Sequence, residues 1–292
     1  MRERTGDSEM EGIKSIAIIG VGLIGGSLGL ALKKANLVQN IIGIGRREEK
    51  LQQALKLGAV DSIVTDIYFG VKKVDLVILA VPVNSIMDIA NQMVPYLKMG
   101  TIVMDVGSTK QKIVRKLTPS FSSGEIHFVG AHPLAGSEES GIEVAKPDLF
   151  EGATCVITPI PQTNGKAIST VRLLWEGIGA KVVEMSPELH DELIAYSSHL
   201  PHIIATALVD LIKMQDKKII SLLASGFKDT TRIAASHPVM WRDICLTNQE
   251  ELLKSIDNFK KILEKWEDLI KNTNSEVLIK EFEEVKNFRE QI

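Results

Sequence analysis

Three groups of residues have the types and spacing to carry chemistry. The first is Gly20-Val21-Gly22-Leu23-Ile24-Gly25, a G-x-G-x-x-G run that follows an apolar stretch and opens another. Such a run suits a dinucleotide. Gly20 allows the tight turn, Gly22 lets a pyrophosphate approach the backbone, and Gly25 lets the helix pack on its strand. The helix N-terminus, starting at Leu23 and Ile24, faces the anion. A glycine-rich packing turn is the alternative. The next strand ends in Gly45-Arg46-Arg47, where an acid for the ribose of NAD is expected. Arg46 is placed to accept a 2′-phosphate, with Arg47 beside it. The cofactor is therefore read as NAD or NADP, with NADP accepted; Glu48 or Glu49 standing in for the acid is the alternative. Val81-Pro82 and Asp105-Val106-Gly107-Ser108 close two later strands, and strand carboxyl ends are where ligands bind in such sheets.

The second group is histidine. His132 follows Phe128-Val129-Gly130-Ala131 and precedes Pro133. Proline restricts the residue before it. A histidine there faces the crevice expected for a nicotinamide, and it can take a hydroxyl proton as hydride leaves the same carbon. His127, inside the same predicted strand, reads as structural. His199 and His202 sit in Ser197-Ser198-His199-Leu200-Pro201-His202. Their i, i+3 spacing could pair them on a metal, but no further His or Cys motif accompanies them. No metal is expected, and lining a pocket between domains is the preferred reading.

The third group is Phe227-Lys228-Asp229-Thr230-Thr231-Arg232, with Trp241-Arg242 shortly after. Arg232 could grip a carboxylate bidentately with Asp229 orienting it. A surface ion pair is the competing reading.

These residues need positioning. Apolar runs at Ile13–Gly20, Asn40–Gly45, Val74–Val81, Thr101–Val106, Ile126–Ala131, Thr154–Thr158 and Lys181–Glu184 are rich in Val and Ile with little alternation. Strands covered on both faces read this way. Helical patterns at Leu23–Lys34, Arg47–Leu57, Ser85–Leu97 and Thr109–Leu117 separate several of them. The alternation predicts an α/β fold with a Rossmann-type, doubly wound parallel sheet. After Glu184 no strand is expected. Leu252, Ile256, Phe259, Leu263, Trp266 and Ile270 recur at intervals of 4, 3, 4, 3 and 4. That stripe marks one helix, packed either on its own domain or against a second copy. The expected layout is a polar arm over 1–12, a dinucleotide-binding domain over 13–184 and an all-α domain over 185–292.

Composition narrows the class. In 292 residues there are 34 Lys and Arg against 37 Asp and Glu, a net charge of −3, so no nucleic-acid partner is expected. Two cysteines, Cys155 and Cys245, are too few for a disulfide framework and fit a reducing cytoplasm. Ser15–Leu32 is uncharged and long enough to resemble a membrane span, but its five glycines fit the phosphate loop better. Acidic residues at Glu3, Asp7, Glu9 and Glu11 argue against a signal peptide.

Taken together, the motifs resemble the prephenate/arogenate dehydrogenase family of tyrosine biosynthesis. The match rests on Gly20–Gly26, Asp105-Val106-Gly107-Ser108-Thr109-Lys110 and Gly130-Ala131-His132-Pro133-Leu134-Ala135-Gly136-Ser137-Glu138. It extends through Ser198-His199-Leu200-Pro201-His202, Phe227–Arg232 and Pro238-Val239-Met240-Trp241-Arg242-Asp243. The resemblance implies oxidative decarboxylation of prephenate, or of arogenate, with NAD(P)⁺, and a helical domain that makes a homodimer. It implies that His132 bonds and polarises the ring hydroxyl, that Ser108 bonds the same hydroxyl or holds His132, and that Arg232 clamps a carboxylate. Glu138 and Asp229 then resemble ion-pair partners at the pocket mouth, and Ser137, Ser198 and His202 line the pocket. The two domains fill the chain to Ile292, which implies a monofunctional form. Arg46 in place of the family's usual acid puts a preference for NAD in doubt.

Overall fold

The structure is a computed structural model describing residues 13–121, 125–137, 139–272 and 275–292. The polar arm expected over 1–12 lies outside these residues. Eight strands form one sheet in the order β3-β2-β1-β4-β5-β6-β7-β8. They are β1 (Ser15–Ile19), β2 (Asn40–Ile44), β3 (Ser62–Val64), β4 (Leu76–Leu79), β5 (Ile102–Asp105), β6 (His127–Pro133), β7 (Thr154–Ile157) and β8 (Lys181–Glu184). The helices of this half are α1 (Leu23–Lys34), α2 (Glu48–Lys56), α3 (Ile67–Val71), α4 (Val83–Met93), α5 (Gln111–Leu117) and α6 (Gly165–Gly177).

β1 to β6 pair in parallel, as expected of strands joined by helical crossovers. β4 and β5 are buried at every position, which explains their unbroken apolar runs. The purely parallel expectation needs one correction. β6 pairs in parallel with β5 over His127–Gly130, then turns to β7, and Ala131–Pro133 pairs antiparallel with Cys155–Ile157. No helix occurs among the described residues between β6 and β7, so the chain returns without a crossover and enters β7 from the opposite end. α6 then carries the chain to β8, which is parallel to β7.

Two apolar clusters cover the two faces of the sheet. One centres on α1, α6 and the buried pair Phe150 and Trp175, whose rings meet edge to face at 5.2 Å. The other packs α4 and α5 against Val77, Leu79 and Val103.

After β8 the described residues are helical. α7 (Pro187–Ile194) starts on a Ser186 cap whose side chain accepts from the Leu189 N–H. A π-helical turn, Ala195–His199, joins it to α8 (Leu200–Lys213). Pro201 falls in the first turn of α8, directly after the π-helical turn. α9 (Ser225–Thr231), α10 (Pro238–Thr247), α11 (Gln249–Lys271) and α12 (Ser275–Arg289) follow. The stripe on α11 divides. Leu252 is buried and Ile256 and Phe259 are half-buried, whereas Leu263 and Ile270 are 52% and 65% exposed. Its first turns pack on this chain; in its last turns Leu263 and Ile270 face outward, while Trp266 packs on Phe282 of α12. Among the described residues no helix is long and apolar enough to cross a membrane.

Candidate active site

The phosphate loop sits at the carboxyl end of β1. Gly20 has φ +95, and a Cβ there would overlap the Ala80 carbonyl, just before Val81-Pro82. A Cβ on Gly25 would overlap the Gly20 carbonyl oxygen. Gly22 differs: a Cβ there meets nothing within 4 Å. It is also the N-cap of α1, and no side chain caps that helix. The first N–H groups of α1, from Leu23 onward, therefore face open space beside bare backbone, which fits a dinucleotide pyrophosphate. Arg46 and Arg47 are exposed just past β2, and Arg47 shares an open depression with Glu48, Glu49 and Gln52.

His132 stands two residues beyond the last β5–β6 pair, where β6 turns to β7. Its Nδ1 lies 2.8 Å from Nε2 of His190, and the two rings meet edge to face. Nδ1 of His190 lies 2.7 Å from Oδ1 of Asp191. The Asp191 carboxylate in turn accepts the backbone N–H of Lys110 at 2.7 Å and of Gln111 at 2.9 Å, at the start of α5. His190 and Asp191 are 0% and 1% exposed. Burial holds His132 well below the ordinary imidazole range, and the adjacent His190, Lys110 and His199 add to it. Burial also lowers His190, with Asp191 pulling the other way.

Lys110 is wholly buried and pairs with wholly buried Asp105. Its Nζ also donates to the Ala131 carbonyl at 2.8 Å, which pins the residue preceding His132. The Asp105 oxygen that pairs with Lys110, Oδ2, also accepts the Gly107 N–H at 2.8 Å. Burial pushes the Asp105 carboxyl up against the pull of Lys110. Ser108 follows in the same loop, half-buried, at the carboxyl end of the strand beside β6.

On the helical side, His202 stacks face to face on Trp241 with ring centroids 3.4 Å apart, and His199 meets the same indole edge-on at 6.0 Å. His199 is held by the Asn248 amide, 3.1 Å from its Nδ1, and that amide also donates to the Asp191 carbonyl. Burial pushes His199 and His202 down to about 4. His199 Nε2, His202 Nδ1 and Trp241 Nε1 are buried polar atoms without a hydrogen-bond partner among the described residues, which suits a polar ligand at this seam.

The other expected residues are placed less tightly. Ser137 is exposed and bonds the backbone of Glu139. Glu138 lies outside the described residues. Ser198 is exposed within the π-helical turn, and Asp229 is exposed on α9. Arg232 is exposed at the end of α9. Sequence reasoning passed over Lys110, His190 and Asp191. A signal for the last two existed: Pro187, His190, Asp191 and Ile194 make the buried face of α7, so two polar residues occupy core positions of an amphipathic helix.

Comparison with known proteins agrees over both halves. The family model described as prephenate dehydrogenase, nucleotide-binding domain, matches residues 28–184, and prephenate dehydrogenase, dimerization domain, matches 186–284. A Bacillus subtilis prephenate dehydrogenase is 38% identical over 94% of this chain and 75% of its own length. A Zymomonas mobilis cyclohexadienyl dehydrogenase is 36% identical over 94% of this chain and 95% of its own. The Aquifex aeolicus prephenate dehydrogenase, solved with hydroxyphenyl propionate and NAD⁺, superposes with a TM-score of 0.90. It is 38% identical over 96% of this chain and 98% of that one.

Proposed function

This chain belongs to the prephenate dehydrogenase family, and on that premise we propose how its own residues carry out the oxidative decarboxylation of prephenate to 4-hydroxyphenylpyruvate and CO₂. It is an NAD(P)-dependent oxidoreductase. When bound, the nicotinamide accepts a hydride; the protein binds, orients and moves a proton.

The observation that carries the reading is His132 at the carboxyl end of β6, with Nδ1 engaged by His190 and Nε2 left to meet substrate. Its depressed pKa keeps the imidazole neutral at pH 7, so Nε2 can accept the proton of the ring hydroxyl. As hydride leaves C4, that oxygen becomes the carbonyl of a ring dienone, and the carboxylate on C1 is then that of a vinylogous β-keto acid. Loss of CO₂ then aromatises the ring, and His132 returns its proton to the phenolate oxygen. Aromatisation supplies the driving force, so placement and charge are the main tasks of the protein. Ser108, in the loop after β5, the strand paired with β6, is assigned to share the hydroxyl. Gly20, Gly22, Leu23, Ile24, Gly25, Val81 and Pro82 cradle the dinucleotide, and Arg46 and Arg47 favour acceptance of a 2′-phosphate. His202, Trp241 and His199 offer the unpartnered polar atoms for the substrate side chain. Arg232 serves the carboxylate end, and Asp229, Ser198, Ser137 and Glu138 take supporting roles there on the strength of the family resemblance. The division into residues 13–184 for cofactor and 185–292 for substrate and dimer, and a cytoplasmic setting, complete the reading. The outward stripe on α11 and α12 supports a homodimer.

The test is turnover. Prephenate with NAD⁺ or NADP⁺ should raise absorbance at 340 nm, and His132→Asn should lower kcat by about 10²–10⁴-fold. No signal with prephenate and none with arogenate would sink the proposal; an effect confined to KM would make His132 a binding residue. The cyclohexadienyl dehydrogenase relative supports a second reading in which arogenate is also a substrate, and parallel kinetics with both substrates and both cofactors separate the two.

A further inference from the structure

We infer that His190 and Asp191 are positioning residues for the base: Asp191 fixes the proton of His190 on Nδ1, and His190 fixes the proton of His132 on Nδ1. The Nε2 lone pair of His132 is thereby the one presented to substrate. The inference rests on the reading of His132 as the base.

The hydrogen-bond inventory dictates the direction of the chain. Both Asp191 oxygens accept backbone N–H groups, which cannot accept in return, and Oδ1 also faces His190 Nδ1 at 2.7 Å. A bare Nδ1 on His190 would set lone pair against lone pair, so the proton sits on His190 Nδ1. A neutral imidazole then has a bare Nε2, which accepts from His132 Nδ1 at 2.8 Å. A doubly protonated His190 would reverse the second bond and leave His132 with its proton on Nε2, the wrong nitrogen for a base. Complete burial of His190 opposes that charge.

Asp191 has a second duty, since it caps the start of α5 and docks the helical half on the cofactor half. That duty needs no histidine, and His190 is placed to do nothing else. The base lies on β6 and its orienting pair on α7, so the catalytic imidazole acquires its tautomer only when the two halves are docked. Once His132 is protonated, its charge faces Asp191 through His190, and no further proton has to move. The other groups acting on His132 are Lys110, itself paired with Asp105, from the β5–α5 loop region and His199 from the π-helical turn.

The experiment compares His190→Asn and Asp191→Asn with the parent enzyme, using prephenate and NAD⁺. Both should lower kcat by about 10²-fold or more while KM for prephenate stays within about threefold. The acid limb of the kcat profile should move to lower pH in both, because the imidazolium loses its anionic support. The double variant should be no worse than the weaker single variant by more than a few-fold. A His190→Asn enzyme with kcat near the parent overturns the inference, and so does a fall in kcat with the acid limb unmoved. If the variants fail to fold, imidazole ¹⁵N spectra of the parent with NAD⁺ decide, with His132 assigned by its loss in His132→Asn. Nδ1-protonated His132 and His190 uphold the chain of bonds, and Nε2-protonated His132 overturns it. A parent inert with prephenate and arogenate ends the functional reading itself, whereas an active parent with fully active variants ends only this inference.

Discussion

The cofactor half and the helical half satisfy their apolar residues in opposite ways. Both apolar clusters of the molecule lie within residues 13–182, and strands such as β4 and β5 are closed on both faces. The helical half buries Ile194, Leu200, Ile244 and Leu252 but leaves Met214, Leu222, Leu263, Ile270, Phe282 and Phe288 more than half exposed. Solvent-facing ion pairs occur in both halves, such as Lys34 with Glu151 on the cofactor side. The cofactor half contains an ion pair with both partners at 0% exposure, while α11 carries solvent-facing pairs such as Lys254 with Glu250. A parallel sheet completes its core by covering itself with its own helices. A helix with an uncovered stripe needs another chain.

The sharpest way to break this contrast is Lys110→Met. It leaves Asp105 buried without its cation, and breaking a buried pair costs about 3–5 kcal/mol, a large part of ordinary domain stability. The denaturation midpoint should fall steeply, and Asp105→Asn in the same chain should recover part of the loss. An unchanged midpoint would mean that the pair contributes nothing.

Next in size is the outward stripe. Leu263→Asp with Ile270→Asp should convert a dimer to a monomer of 32.1 kDa by light scattering, while the far-ultraviolet dichroism of the sheet is retained. A parent already monomeric at micromolar concentration would remove the proposed partner from the comparison.

The seam between the halves should respond to acid. His132, His190, His199 and His202 are all held neutral by burial, His199 and His202 down to about 4 from 6.5. Each binds its proton more weakly folded than unfolded, so the unfolded chain takes up more protons between the two values. Stability is therefore complete above about 6.5 and is lost as pH falls towards about 4. Tm measured from pH 8 to pH 5 should be level and then decline; a rise below pH 6.5 would contradict the burial of these rings. The smallest effect belongs to Lys254→Ala on α11, which should leave the midpoint unchanged within error at any salt concentration.

Much of the site was readable because it is local. Gly20, Gly22 and Gly25 act within six consecutive residues, and the turn they make depends on their own missing side chains. His132 was readable because a strand end and Pro133 frame it. Short or edge elements were harder to read: β3 has three residues, none of them buried, and α3 has five, too few for periodicity to register.

By itself the sequence determined the alternation of buried strands with helices, the phosphate loop, and the candidate base, because each depends on near neighbours in the chain. Only the tertiary structure decided the reversal at β7, the division of the α11 stripe, and the bond from His132 to His190 across 58 positions. A hydrogen bond forms where two rings meet in space, and nothing in the residues around His190 says which partner the fold will bring to it.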